Sequence, residues 1–496
     1  MSEPARTARD FFDTEYRAYA MYTVEGRAIP SLVDGFKPAQ RKIAYAANKL
    51  WKRGSEKPMK VFQLGGQAAA LAFYHHGSLD ATIIGMTQSF KNSMPIFQGV
   101  GQFGSLRSPQ AGASRYVGVR FNENFRRLYK DFELVTPRQE EGEEIEPAFF
   151  LPIIPTVLLN GGSGIAVGFA TNILNRHPID LIDATIDILK RGKTKIELRP
   201  WINGFFGEVQ TVPEKEGWSW VFHGTYEVLN STRVEITEIP PSFTYEKYEA
   251  HLEKLVEKGT IRKYEDFSAD RVRYVVHFHR TRLADLIDDE KLEGVLKMRE
   301  TQTENITTLA EDGKLKIFQT ASELLLYFVD FRLGYYQRRK DRLLKVLSQD
   351  IKVLEAKLKF LEAVINGSFK VSDVPKKTLV AQLQAEGYLQ VRDSYDYLLA
   401  MPLWALTKER HKDLQKKLAD KQKELDQIER ATPKNMYLKD LRELRKLLVS
   451  KGWESPRTQK PKKVKKKARP GKSAAENFVG EGQKSDKDWI DILLGN

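Results

Sequence analysis

The 496-residue chain contains no cysteine. Disulfides, thiolate metal sites and cysteine nucleophiles are excluded together, which suits a cytoplasmic protein. No run of about twenty apolar residues is present, so no membrane span is expected. The opening residues MSEPARTARDFFDTEY hold no apolar stretch of the signal-peptide kind. A phosphate-cradling Gly-x-x-x-x-Gly-Lys-Ser/Thr is missing as well. Gly471-Lys472-Ser473 lacks the earlier glycine and any preceding strand. Asp486 and Asp488 have Asp-x-Asp spacing, but no apolar strand places them. The chain therefore offers neither an ATP site nor a metal-binding carboxylate pair of its own.

What it has in excess is positive charge, formally +14 at pH 7. A polyanion is the default partner of such a chain. An acidic membrane surface competes, but no strongly amphipathic basic helix supports it. Part of the excess lies in Arg457 to Lys472, RTQKPKKVKKKARPGK, which has almost nothing apolar to bury. That run either binds DNA non-specifically or serves as a solvated tail. The segment DWIDILL near the end regains amphipathic character and could dock on a partner.

The chain reads in blocks. Asp10 to Thr23 predicts a helix whose Phe11, Tyr16, Tyr19 and Tyr22 pack against the body. Asp34-Gly35 marks a turn, and Lys37-Pro38 opens a helix from Ala39 to about Trp51. A second helix runs from about Val61 to Phe73. Its Gly-Gly-Gln-Ala-Ala-Ala run suits either close helix packing or close approach to a DNA groove. Tyr74-His75-His76-Gly77 follows, and its histidines read as packing or capping groups or as a general base. Ser163 to Gly168 reads as a buried strand or a tight turn, with Ile165 in the core. Short strands alternate with a helix at Glu246 to Lys258 between Gly204 and His279. From Ser322 the period is helical: Leu344, Leu347, Ile351, Leu354, Leu358, Leu361 and Ile365 step by threes and fours. Leu414, Leu418, Leu425 and Ile428 continue the step, with Lys421 at the skipped position. Residues 366–402 are broken by Gly367, Pro375 and Gly387. An antiparallel coiled-coil arm with a small globular tip is the economical reading.

The stretch from Gly99 to Asn122, GVGQFGSLRSPQAGASRYVGVRFN, ends a glycine-rich loop on Arg115-Tyr116. A phenol with a free pKa of about 10 is a weak nucleophile. A neighbouring guanidinium stabilises a phenolate and the charge that builds on a phosphate under attack. The dipeptide alone says little, since a surface arginine beside a half-buried tyrosine is commonplace. Its neighbours say more: GRAIPSLVDGFKPAQR at Gly26 to Arg41, Tyr74-His75-His76-Gly77, and LPIIPTVLLNGGSGIAVGFATN at Leu151 to Asn172. In this order the motifs resemble the breakage-reunion subunit of type IIA DNA topoisomerases, the gyrase A and topoisomerase IV A type, and most closely its bacteriophage branch. The resemblance runs from about Tyr16 to about Leu448.

The resemblance implies an α+β multidomain fold. Its parts are an N-terminal helical arm (1–24), a winged-helix DNA-cleavage domain (25–147) and an α/β tower domain (148–315). A coiled coil with a C-gate tip (316–450) and a disordered basic tail (451–496) complete it. It implies that Tyr116 attacks a phosphodiester to form a 5′-phosphotyrosyl link, aided by Arg115 and His76. Arg27, Lys37, Arg41 and His75 would hold the DNA backbone, and Ile165 would wedge between base pairs. A separate large subunit would bring ATP and Mg²⁺. The assembly would be a homodimer of this chain within a heterotetramer acting on double-stranded DNA. No room is left for a DNA-wrapping domain, so relaxation and decatenation are expected rather than negative supercoiling. The rival is a non-enzymatic DNA-binding coiled-coil scaffold, which gives Tyr116 no task.

Overall fold

Turns of α and π helix alternate to carry the chain as one arm from Ala8 to Ala28 in the computed structural model. The structure describes residues 7–51, 57–74, 77–192, 194, 196–214, 217–371, 374–401 and 408–455. A Thr-x-x-Asp capping box starts the arm: Asp10 N donates to Thr7 Oγ1 and Thr7 N to the Asp10 carboxylate, both at 3.2 Å. The arm is longer than its sequence pattern suggests, and the packing expected of its aromatics is not made. Phe11, Phe12, Tyr16, Tyr19 and Tyr22 are all exposed, and burial begins only at Val24.

Helix α1 (Pro38–Leu50) opens with proline at its first turn, where the missing N–H costs nothing. A short strand β1 (Met59–Lys60) leads into α2 (Val61–Leu71), followed by α3 (Asp80–Thr87). Strands β2 (Phe97–Val100) and β3 (Gly118–Phe121) pair antiparallel with Phe97 opposite Phe121, and β1 joins the far side of β3. Ile43, Val61, Leu64, Ile83, Phe97 and Val119 fill the space between helices and sheet. The glycine pair on α2 has divided duties. A Cβ on Gly65 would lie 2.8 Å from the Asp80 carboxylate, whereas Gly66 faces open space. One face of α2 thus packs on α3, and the other presents Phe62, Gly66 and Gln67 to solvent.

Phe150, Ile153, Val157, Leu181 and Ile182 belong to this same core. The apolar run 149–159 helps close this first core, which extends through Ile196 and Leu198 to later residues, Leu324, Tyr437 and Leu441 among them. Within it, β4 (Gly162–Ile165) and β5 (Ala170–Ile173) form a hairpin, and α4 (Pro178–Arg191) follows.

The next block has two sheets. Strands β6 (Glu208–Glu214), β7 (Gly217–His223) and the later β12 (Arg299–Glu304) form one. Strands β8 (Thr225–Asn230), β9 (Arg233–Glu238), β10 (Lys263–Asp266) and β11 (Tyr274–His277) form the other, in the order β8-β9-β11-β10. Helix α5 (Tyr245–Glu257) lays Tyr248 and Leu252 over Val234, Ile236 and Val276.

Helix α6 (Ala321–Ile365) is 45 residues long, and α7 (Lys408–Arg430) runs back along it. Antiparallel direction follows from the pairings: Glu362 meets His411 at 2.7 Å, and Asp350 meets Lys421 at 3.5 Å. Leu358, Leu361 and Leu414 form the seam. The tip has a core of its own, built on Phe360, Phe369, Leu379, Leu383 and Tyr395. Helix α8 (Pro433–Ser450) returns to the base. Order extends past the expected limit at Lys451, because Trp453 packs on His177 with ring centroids 5.6 Å apart and Ser455 donates to Asp180. The basic run and the DWIDILL segment lie outside the described residues. No described helix is long and apolar enough to cross a membrane.

Candidate active site

The loop between β2 and β3 delivers Arg115 and Tyr116 to the surface. Tyr116 N donates to Ala113 O at 2.9 Å, which closes a tight turn. That turn is seated against the start of α2, where helical N–H groups lack intrahelical partners. Val61 N donates to Val117 O at 3.1 Å and Phe62 N to Ser114 O at 3.4 Å. Lys60 Nζ donates to the carbonyl of Tyr116 at 2.6 Å. The backbone is therefore pinned while the phenol is 71% exposed. The Arg115 guanidinium carbon lies 5.4 Å from the Tyr116 ring centroid. Together they put a phenol and a guanidinium on one turn, open to solvent. Lys60 escaped the sequence reading, for nothing in its surroundings distinguishes it from a solvated lysine. Only the pairing of β1 with β3 brings it here.

A separate cleft of about 520 Å³ is lined by Gly26, Arg27, Lys37, Tyr74, Gly161 and Ser163 among others. Arg27 and Lys37 are thus brought together, whereas Tyr116 is not among the lining residues. Lys37 Nζ donates to Ser163 O at 2.8 Å, and partial burial lowers its pKa. The Arg27 guanidinium lies 5.2 Å from the Tyr22 ring centroid, joining the arm to the cleft rim.

Arg41 is a correction. It was expected on the DNA backbone, but it is only 7% exposed. Its Nε donates to Asp34 Oδ2 at 2.7 Å and its Nη2 to Asp34 Oδ1 at 2.9 Å. Asp34 also accepts from Phe36 N and Phe150 N, both at 3.0 Å. The Asp34-Gly35 turn, with Gly35 at φ +68°, swings the carboxylate under α1 and commits Arg41 to it. His75 and His76 lie outside the described residues.

Ile165 is 90% exposed at the end of the β4–β5 hairpin, with Phe169 also exposed, so the core packing that pattern alone suggested is not made. Ala166 N donates to Phe169 O at 2.8 Å, and Gly168 takes φ +76° in the turn. The hairpin base is fixed: a Cβ on Gly164 would sit 2.0 Å from Ala28 O. The hairpin thus presents Ile165 and Phe169 side by side to solvent from a fixed base. Among the described residues, no group of three or more histidine, aspartate or glutamate side chains could hold a metal ion.

A two-helix and antiparallel-sheet body with an exposed Arg-Tyr turn, an α/β block and a long helical arm together define a mixed α and β class of fold. The chain belongs to the DNA gyrase/topoisomerase IV A-subunit family, whose model matches residues 27–443. It is 34% identical over 447 residues to the DNA topoisomerase medium subunit of Enterobacteria phage T4, covering 89% of this chain and 99% of that one. It is 31% identical over 527 residues to DNA topoisomerase 2 of Arabidopsis thaliana, covering 95% of this chain but 35% of the plant protein. Among solved structures, the DNA-binding, cleavage and re-ligation domain of Plasmodium falciparum topoisomerase II superposes with a TM-score of 0.79 at 31% identity. That match covers 90% of this chain and 66% of the other.

Proposed function

We propose that this chain is the DNA-cleaving and religating subunit of a type II DNA topoisomerase. Its winged-helix part is residues 25 to about 147, its tower the α/β block, and its C-gate the tip of the α6–α7 arm. The Tyr116 oxygen attacks a backbone phosphorus. The Tyr–O–P bond forms, the P–O3′ bond breaks, and a 3′ hydroxyl departs carrying a proton. The reverse step reseals the strand without nucleotide, since the phosphotyrosyl link conserves the bond energy. Arg115 stabilises charge on the phosphate in flight, and His76 assists. Arg27, Lys37 and Lys60 hold backbone phosphates, with His75 beside them, and Ile165 wedges between bases of a bent duplex. Arg41 acts only through Asp34.

Two copies, one per strand, make a gate for a second duplex. A separate large subunit brings both Mg²⁺ and the ATPase. The working assembly is a heterotetramer in the host-cell cytoplasm, which relaxes and decatenates DNA.

The observation that carries this reading is Tyr116: exposed, backed by Arg115, and pinned through its backbone alone. The test is detergent-trapped cleavage of supercoiled DNA by the chain with Mg²⁺ and its large subunit, wild type against Tyr116→Phe. Protein on the 5′ ends of linear DNA, lost in the variant, is the expected result. Equal adduct in both removes Tyr116 from the reaction, and no adduct in either leaves the DNA-binding scaffold.

A further inference from the structure

Arg107 belongs by sequence to the loop that carries Tyr116, yet its side chain is sunk in the α/β block and is 7% exposed. Its Nη1 donates to Pro240 O and Phe243 O, both at 3.0 Å. Its Nη2 donates to Ile239 O at 2.7 Å and to the Glu238 carboxylate. The Arg107 carbonyl in turn accepts from Tyr245 N at 3.0 Å. Leu106 beside it packs on the cluster of Leu174, Phe205, Trp220 and Phe222. Glu238 is itself held by Phe206 N at 3.2 Å.

The rest of the loop is clamped to the first core. Gln88 Nε2 donates to Phe103 O at 2.9 Å and to Pro109 O at 3.0 Å, on either side of Arg107. Gly112 N donates to Gln102 O at 3.0 Å. The Phe103 ring fills the space in which a Cβ on Gly99 would lie, 2.5 Å away. The segment ahead of Arg115 is therefore gripped at Gln88 by one core and at Arg107 by the other.

Adhesion alone does not require a buried ion pair, because desolvating a guanidinium and a carboxylate offsets much of their attraction. What the pair supplies is direction. A planar fork serving four acceptors fixes the loop in angle as well as distance, which a lysine or an apolar side chain cannot do.

We propose that Arg107 is a positioning residue for Tyr116: through it the α/β block sets the angle of the loop and hence the reach of the phenol to phosphorus. The inference rests on Tyr116 as the nucleophile. A displacement of about 1 Å at a reacting atom costs on the order of 100-fold in rate, which sets the scale of the effect.

The test uses the holoenzyme with its large subunit, Mg²⁺ and a duplex oligonucleotide, comparing Arg107→Met, Arg107→Lys and Glu238→Gln with wild type. Single-turnover adduct formation, DNA affinity measured without Mg²⁺, and the thermal midpoint are read on each. Arg107→Met is expected to slow adduct formation about 10- to 100-fold while DNA affinity stays within about twofold. Arg107→Lys should recover only part of the rate, and Glu238→Gln should fall between. An adduct rate within about twofold of wild type in Arg107→Met overturns the proposal. So does a loss fully matched by lost affinity or lost folded protein. If Arg107→Met does not fold, Glu238→Gln decides: a slowed rate with normal affinity supports the positioning role, and a wild-type rate ends it. Tyr116→Phe runs in parallel. Adduct surviving there defeats the nucleophile assignment and is distinguishable from any result at Arg107.

Discussion

Arg41 and Ile165 illustrate how exposure inverts a reading made from residue type. A basic residue in a basic protein suggests phosphate, and an isoleucine in an apolar run suggests core. The structure exchanges them. Replacing Arg41 by methionine leaves the fully buried Asp34 carboxylate without its ion partner, and such breaks cost about 3–5 kcal/mol. Urea denaturation should therefore show a large fall in midpoint for Arg41→Met. DNA affinity per folded molecule should hardly change. Ile165→Ala should do the reverse: with 90% of the residue already in water, stability should stay within about 0.5 kcal/mol. Affinity for a bent duplex should drop measurably in a titration against straight DNA. The Asp34-Gly35 turn was legible as a turn. Its partner was not, because the six residues between Asp34 and Arg41 can return the chain to the same place in many ways, and pattern does not say which carboxylate is beneath.

At the scale of elements, periodicity carried most of the reading. The α1, α2 and α5 limits fall within two residues of the sequence expectation, since proline, glycine and apolar spacing act locally. Along α6, Leu354, Leu358 and Leu361 pack with Leu414 and Leu418, and Ile365 is 37% exposed because the helix has by then entered the tip. Junctions between elements were not legible. His177 gave no sequence signal, yet it precedes α4 with its ring 4.9 Å from that of Trp201 and 5.6 Å from that of Trp453. Burial lowers its pKa from 6.5 to about 4. The folded state therefore binds fewer protons than the unfolded chain across that interval. Stability from this site is full above about pH 6.5 and declines toward pH 4, by about 3 kcal/mol in all. Thermal midpoints at pH 7 and pH 5 should differ more for wild type than for His177→Phe, whose ring fits the same cage without titrating.

The whole molecule depends on how the long arm is rooted. Asp440 on α8 accepts from Lys130 Nζ at 2.7 Å, Tyr336 Oη at 2.8 Å and Arg339 Nη1 at 2.6 Å. Asp131 accepts from Arg332 Nη2 at 2.5 Å and from Arg339 Nε at 2.6 Å, while Arg332 Nε also reaches Pro152 O at 2.9 Å. The rings of Tyr336 and Tyr437 stack beside this network with centroids 4.4 Å apart. Residues more than a hundred positions apart in the chain thus share one buried set of charges, which no local pattern announces. Burial alone would raise the Asp440 pKa, but Arg339 and Lys130 outweigh it and hold it below the ordinary value. The carboxylate's contribution is present above the ordinary pKa of 3.8 and is lost as pH falls through the lowered one. At neutral pH the Asp440 carboxylate is charged, so its test is deletion. Asp440→Ala leaves Arg339 paired to Asp131 alone and takes from Lys130 and Tyr336 their shared acceptor, and should cost about 1–3 kcal/mol, the penalty of buried donors left without a partner. Because the break lies at the root of α6 and α8, loosening should appear first there. Hydrogen exchange should rise around Tyr336 and Tyr437 while the tip around Phe360 and Leu383, with its separate core, keeps its protection. Uniform loss of protection in both places would mean that arm and body unfold as one unit and that the network is not the root.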